Sequence, residues 1–422
     1  FENTSSQFEK LNQSNPAYLT IVGNSTLKLF NEYMYEYNQM LMCGRTDLAK
    51  RYFEKAQLPE SYITQAKNYL NSCEQDAILI TYGDNDTYQL WYTQEKFGFR
   101  KDVLVINNSL LGLPVYVDML KKNNSLSLSV PSAFLEDQAN DVVYYQENEK
   151  VSGLTKEISL KELLSLVYKK KFPYTGEGYP FYPTYPYNRS SFNLPVSWNK
   201  TSGTVPLQKL YFELSDQYYL VNDIIIFDII ANNILKRPLY FTSKAGNVFE
   251  KNLAQTGLTY KLIAGYLDTE SHKSTEIRIL ERFINEKYIP VLSNENGFIS
   301  YDGDNTFFYL YYKIFDHYLD KKDMAGLKKW LDKFSLICPK LLPVQMQTGR
   351  YLPYYFIEAG DNKKGLALTD QFAQWWHDVY SNPVSLSGFY SKESYIDELT
   401  KTRDYLSSKK LKSALVDRFL KE

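Results

Sequence analysis

The stretch AILITYGDNDTYQLWYTQEKFGFRKDVLVIN, Ala77–Asn107, decides how this chain folds. It opens on a non-alternating apolar run, Ala77–Ile80, and closes on another, Val103–Ile106. Short runs rich in β-branched residues, without a polar face, read as strands covered on both sides. Between them Thr87–Phe97 reads as a helix, with Gly98 placed to stop it. Pro114–Lys122 reads as a second helix. Strand, helix, strand, helix in so short a span predicts an α/β fold with a Rossmann-like, mostly parallel sheet flanked by helices.

The polar turn after the first strand, Gly83-Asp84-Asn85-Asp86-Thr87, is the main candidate site. Ligands of open α/β sheets gather at the carboxyl ends of the strands. Asp84 and Asp86, with Asn85 and the Thr87 hydroxyl, offer oxygens suited to a hard divalent cation or to sugar hydroxyls. Trp91 supplies an apolar platform one helical turn on. The structural alternative is as direct: Asp86 caps the helix that Thr87 opens, and Gly83-Asp84 makes a tight turn. Arg237, at the end of a helix read over Val221–Leu235, is a candidate to neutralise Asp84 or a ligand anion. Leu239–Ser243 follows it as a strand.

Outward from this core, residues 1–72 read as an irregular lead-in, then a tetratricopeptide-like hairpin broken at Cys43-Gly44-Arg45, then a helix into the first strand. Residues 73–300 form the expected α/β domain. Within it Ser125–Val130 alternates like a strand, and Ser159 is placed to cap a helix over Ile158–Lys170. Gly257–Leu267 reads as strand or helix. The Tyr- and Pro-rich stretch 172–195 reads as a long loop or arm, and Tyr182 and Tyr185 are its candidate ligand contacts. Residues 301–422 read as two further helical hairpins, one turning at Asp320–Asp323 and one at Ala359-Gly360-Asp361, with Asp304 or Asn305 capping a helix that starts near Thr306.

Composition narrows the function classes. Lys plus Arg number 48 against 49 Asp plus Glu, so bulk charge points to no nucleic-acid partner. The 38 Tyr suit half-exposed surfaces and polar ligands such as peptides or sugars, or serve as half-buried filler. Cys43, Cys73 and Cys338 are too scattered for a disulfide framework or a metal knuckle. The histidines, His272, His317 and His377, fall in no HExxH or GxSxG context, so acyl transfer and zinc hydrolysis lack motif support. The chain opens on Phe1, as expected of a processed or trimmed product.

Two motifs carry a family resemblance. GDNDT with the following LWYTQE, GFRKDV and NNSLL (Gly83–Leu111), and IIANNILKRPLYFTS (Ile229–Ser243), are similar to signatures of large multi-spanning membrane proteins abundant in Bacteroidetes. That family, of unknown function and of the DUF2723 type, is related to protein O-mannosyltransferases. The loop FNLPVSW (Phe192–Trp198) and the helical hairpins near the C-terminus also look similar. The resemblance implies that this chain is an extracytoplasmic, periplasmic or cell-envelope portion, and that the transferase acid belongs to a membrane part with no matching position here. It therefore favours a non-catalytic module that recognises polypeptide or glycan in a cell-envelope or protein-glycosylation system, beside an upstream membrane domain or membrane-protein partner. The alternatives are a carbohydrate-active enzyme working through Asp84 and Asp86, and a purely structural scaffold.

Overall fold

The structure is a computed structural model. It describes all residues except 1, 16–17, 21–22, 123–125, 146–157, 172–183, 186–188, 196–206, 215–217, 245–247, 265–269, 291–300, 339–340, 342–345 and 382–391. The fold is mixed α/β, with several short sheets flanked by many helices. Two compact units divide the chain, Phe1–Ile289 and Pro290–Glu422.

The first unit is built on a five-stranded sheet in the order Leu253–Gln255, Tyr260–Leu262, Leu239–Phe241, Ile78–Thr81, Leu104–Asn107. The last three strands run parallel, pairing Leu239 with Ile78 and Ile78 with Leu104. The first two form an antiparallel hairpin added beside Leu239–Phe241. Ile78, Leu79 and Ile80 are all fully buried, because helices cover both faces. That is why the run lacks alternation. Gly257 turns the hairpin at φ +139°, and the Leu258 amide donates to Ser72 Oγ at 2.8 Å.

Three expectations are corrected in this unit. The helix after the first strand spans Asp84–Phe97, with Gly83 as N-cap at φ +82°. Asp86 therefore sits inside its first turn and is not the cap. The lead-in holds a helix, Glu2–Ser14, whose Glu9 accepts from the Tyr33 hydroxyl of the Ser25–Met42 helix at 2.5 Å. Leu126–Val130 is not a strand. Side chains of the Val221–Asn233 helix meet its backbone instead: Asn233 brackets Ser127 through both amide atoms, and Asp228 accepts from the amides of Ser129 (2.7 Å) and Val130 (3.0 Å).

Ser159 caps the Leu160–Tyr168 helix, accepting from the Glu162 amide. In the Tyr/Pro-rich stretch, the backbones of Thr184–Tyr185 and Arg189–Pro195 are strands, the latter paired antiparallel with Leu207–Glu213. Tyr182 and the side chain of Tyr185 lie outside the described residues.

The second unit is helical. Tyr301–Asp320 and Met324–Ile337 form one hairpin, and Leu352–Glu358 and Asn362–Ser381 another. Asp304 and Asn305 fall inside the first of these helices and do not cap it, since it begins at Tyr301. Asp323 is the working cap, accepting from the Gly326 amide at 2.9 Å. The core is aromatic: Phe308, Tyr311 and Phe315 pack against Trp330 and Phe334.

Candidate functional site

The parallel strands end in two different environments. At their carboxyl ends stands the polar turn. Thr87 is fully buried, and its hydroxyl lies 2.6 Å from both the Gly83 carbonyl and Thr81 Oγ1. Asp86 Oδ2 accepts from Thr242 Oγ1 at 2.8 Å and from the Tyr82 amide at 3.4 Å, so it ties the Ile78–Thr81 strand to the end of Leu239–Phe241. Asp84 faces the buried Tyr88 hydroxyl one turn on. Burial, reinforced by the charge and hydrogen bond of Asp84, pushes that phenol far above its ordinary pKa. Asn85 is exposed. Among the described residues no group of three or more His, Cys, Asp or Glu is placed to hold a metal ion.

Arg237 lies at the opposite ends of the same strands. Its guanidinium donates to the carbonyls of Asp76 (2.6 Å), Ala77 (3.2 Å) and Asp102 (2.9 Å), which precede the strands. A four-residue strand at ~3.3 Å per residue puts about 13 Å between the two ends. Arg237 and Asp84 therefore do not share a site. Burial lowers the Arg237 pKa, opposed by the Asp76 and Asp102 charges.

What Arg237 and Trp91 do share is a cleft of about 910 Å³. Tyr37, Asn38 and Leu41 of the Ser25–Met42 helix form one wall. Trp91, Gln94 and Glu95 of the Asp84–Phe97 helix form a second. The floor is the start of the Leu104–Asn107 strand together with Tyr116, Met119 and Leu120. Charged groups at Asp76, Lys101, Asp102, Lys236 and Arg237 complete the lining.

This strand is the sheet's outer edge, and side chains meet two of its outward carbonyls and one outward amide. The Leu104 amide donates inward to Ala77, so Val103 and Val105 direct their carbonyls outward. Gln94 Nε2 donates to Val103 O at 2.7 Å and Trp91 Nε1 to Val105 O at 3.1 Å. The outward Asn107 amide donates to the Tyr116 hydroxyl at 3.2 Å. At the charged side, Arg100 holds Asp102 through paired 2.9 Å bonds and depresses its carboxyl below the usual range. Lys101 pairs with Glu95 at 3.1 Å. Burial, with Glu95 nearby, pushes the Tyr37 phenol up to about 12.

Two groups in the cleft are different. Asn38 is 2 % exposed, yet its Nδ2 has no hydrogen-bond partner among the described residues. Asp76 is exposed and held at φ +56°, a conformation uncommon outside glycine. Its amide and carbonyl are bonded, whereas its carboxylate forms no ion pair or hydrogen bond among the described residues. The sequence carried one signal for Asn38. It continues the four-residue spacing of Phe30, Met34 and Met42, all buried, and an amide in such a stripe needs a reason.

Residues 63–279, more than half of the chain, match the protein family described as TMEM260-associated domain 2. No curated protein and no solved structure matches the chain. Both motifs behind the resemblance to the DUF2723-type family lie inside the matched span. The match corrects that resemblance, and with it the framing as the soluble portion of such a membrane protein. Among the described residues no helix is long and apolar enough to cross a membrane.

Proposed function

The chain belongs to the TMEM260-associated domain 2 family, and from that premise we propose that it is a non-catalytic module recognising polypeptide or glycan. The observation that carries this reading is the cleft of about 910 Å³, whose lining sets aromatic and aliphatic side chains beside charged ones. Concave pockets of that size are the usual form of ligand sites. Asp84 and Asp86 are engaged by Tyr88, Thr242 and Tyr82, which supports a positioning role over acid–base chemistry. The family's name pairs the domain with TMEM260, and we take its partner to be a membrane protein. The parallel strand trio supports a Rossmann-like description of the sheet, and the helix pairs with tight turns support a tetratricopeptide-like one of the hairpins.

Calorimetric titration of the full chain against a random hexapeptide pool and a panel of neutral oligosaccharides tests the reading. Saturable binding to one class is expected. Heats indistinguishable from dilution across both panels would overturn it.

A further inference from the structure

A second sheet of the Phe1–Ile289 unit orders three strands, Ile158–Ser159, Arg189–Pro195 and Leu207–Glu213. The seven residues Leu207–Glu213 pair antiparallel with Arg189–Pro195 on one side, and among the described residues no strand pairs on the other. One face of this outer strand belongs to the core. Leu210 and Phe212 are buried, and the Phe212 ring meets those of Phe192, Phe227 and Phe249 at 4.8–5.9 Å. Lys209, Tyr211 and Glu213 alternate on the opposite face and are exposed, as is Leu207. The Lys209 ammonium lies 5.0 Å from the centre of the Tyr211 ring. None of these residues lines the cleft.

We propose that this edge pairs with the same edge of a second copy, antiparallel about a two-fold axis at Tyr211, joining two three-stranded sheets into one. Charge selects both the partner and the register. About such an axis, residues equally far before and after Tyr211 stand opposite each other on one face. Lys209 of each copy then meets Glu213 of the other, the two Tyr211 rings form a cross-strand aromatic pair, and Leu210 faces Phe212 across the axis. Centring the axis on Lys209 or on Glu213 would oppose like charges. Centring it on Leu210 or Phe212 would put neither charge opposite its counterpart. A lysine on an outer strand ordinarily deters pairing with other chains. Lys209 keeps that effect toward a strand with no acid opposite it, and loses it toward this chain's own edge. The same patch serves both copies, so the pairing closes at two instead of growing into a filament.

Sedimentation velocity of the full chain across a concentration series tests the pairing, and a monomer–dimer equilibrium is expected. Lys209→Glu and Glu213→Lys each set like charges opposite one another at two places in the dimer. Each should weaken it at least ~5-fold. Both side chains are exposed, so the variants should fold, with thermal midpoints near that of the parent. Combining the two substitutions in one chain exchanges the signs and should restore the dimer. Mixing the two single variants should give a heterodimer, because an edge with two acids then faces an edge with two lysines. A chain that stays monomeric at every concentration overturns the proposal. A dimer that neither single variant weakens overturns it as well, and so does one that the double variant fails to restore.

Discussion

Asp228, fully buried on the Val221–Asn233 helix, shares with Asn233 the holding of the neighbouring segment 126–130. Its carboxylate accepts from the Ser129 and Val130 amides, from the Ser129 hydroxyl and from Asn232 Nδ2. Asp228→Ala leaves the buried Val130 amide unsatisfied and should cost about 1–3 kcal/mol in urea unfolding, more than a surface substitution. Asp102 offers a pH test. Its folded-state pKa is lowered by Arg100, so its contribution is present above the unfolded value of 3.8 and is lost as pH falls through the lower folded one. Asp102→Asn should be less stable than the parent by about 1 kcal/mol at neutral pH and should converge with it in strong acid. Single residues were legible where chemistry is local, as with Ser159. They were illegible where a partner is remote: nothing near Asp86 in sequence announces Thr242, and a cap is the plausible local use of such a residue.

Elements were legible wherever one periodicity ran uninterrupted. The Ile78–Thr81 and Leu104–Asn107 strands, the helix between them, and the helix pairs turning near Gly44, Lys322 and Gly360 were read from spacing and punctuation. Leu126–Val130 was misread because alternation reports a covered face, which helix side chains can supply as well as a ladder. The tyrosines misled in a similar way. Tyr88, Tyr116 and Tyr240 are among the largest fully buried side chains, where the rings act as core and the hydroxyls as fasteners. One loop sets a strict demand on its residue. A Cβ at Gly257 would stand 2.5 Å from Ser72 Oγ and 3.0 Å from the Phe283 ring, at a φ that L residues rarely adopt. Gly257→Ala should therefore lower stability by about 2–4 kcal/mol and shift the thermal midpoint downward.

At the scale of the molecule, the cleft could not be read from the chain. Asn38, Asp76, Trp91, Asp102, Met119 and Arg237 come from six separate segments, and only folding makes them neighbours. Two of them, Trp91 and Arg237, were singled out from sequence, each for a site it does not serve. Division into two compact units predicts local responses to damage. Asp228→Ala should raise amide exchange within Phe1–Ile289, and Gly365→Ala, whose Cβ would stand 2.5 Å from Ile357, should raise it within Pro290–Glu422. Mass spectrometry of exchanged peptides reads both. The covered outer strand has one more consequence, for solubility. A bare strand edge invites pairing between copies, the first step toward fibrils. Gln94, Trp91 and Tyr116 act as gatekeepers at that edge, so concentrated Gln94→Ala protein, with Val103 O uncovered, is the form expected to bind thioflavin and come out of solution first.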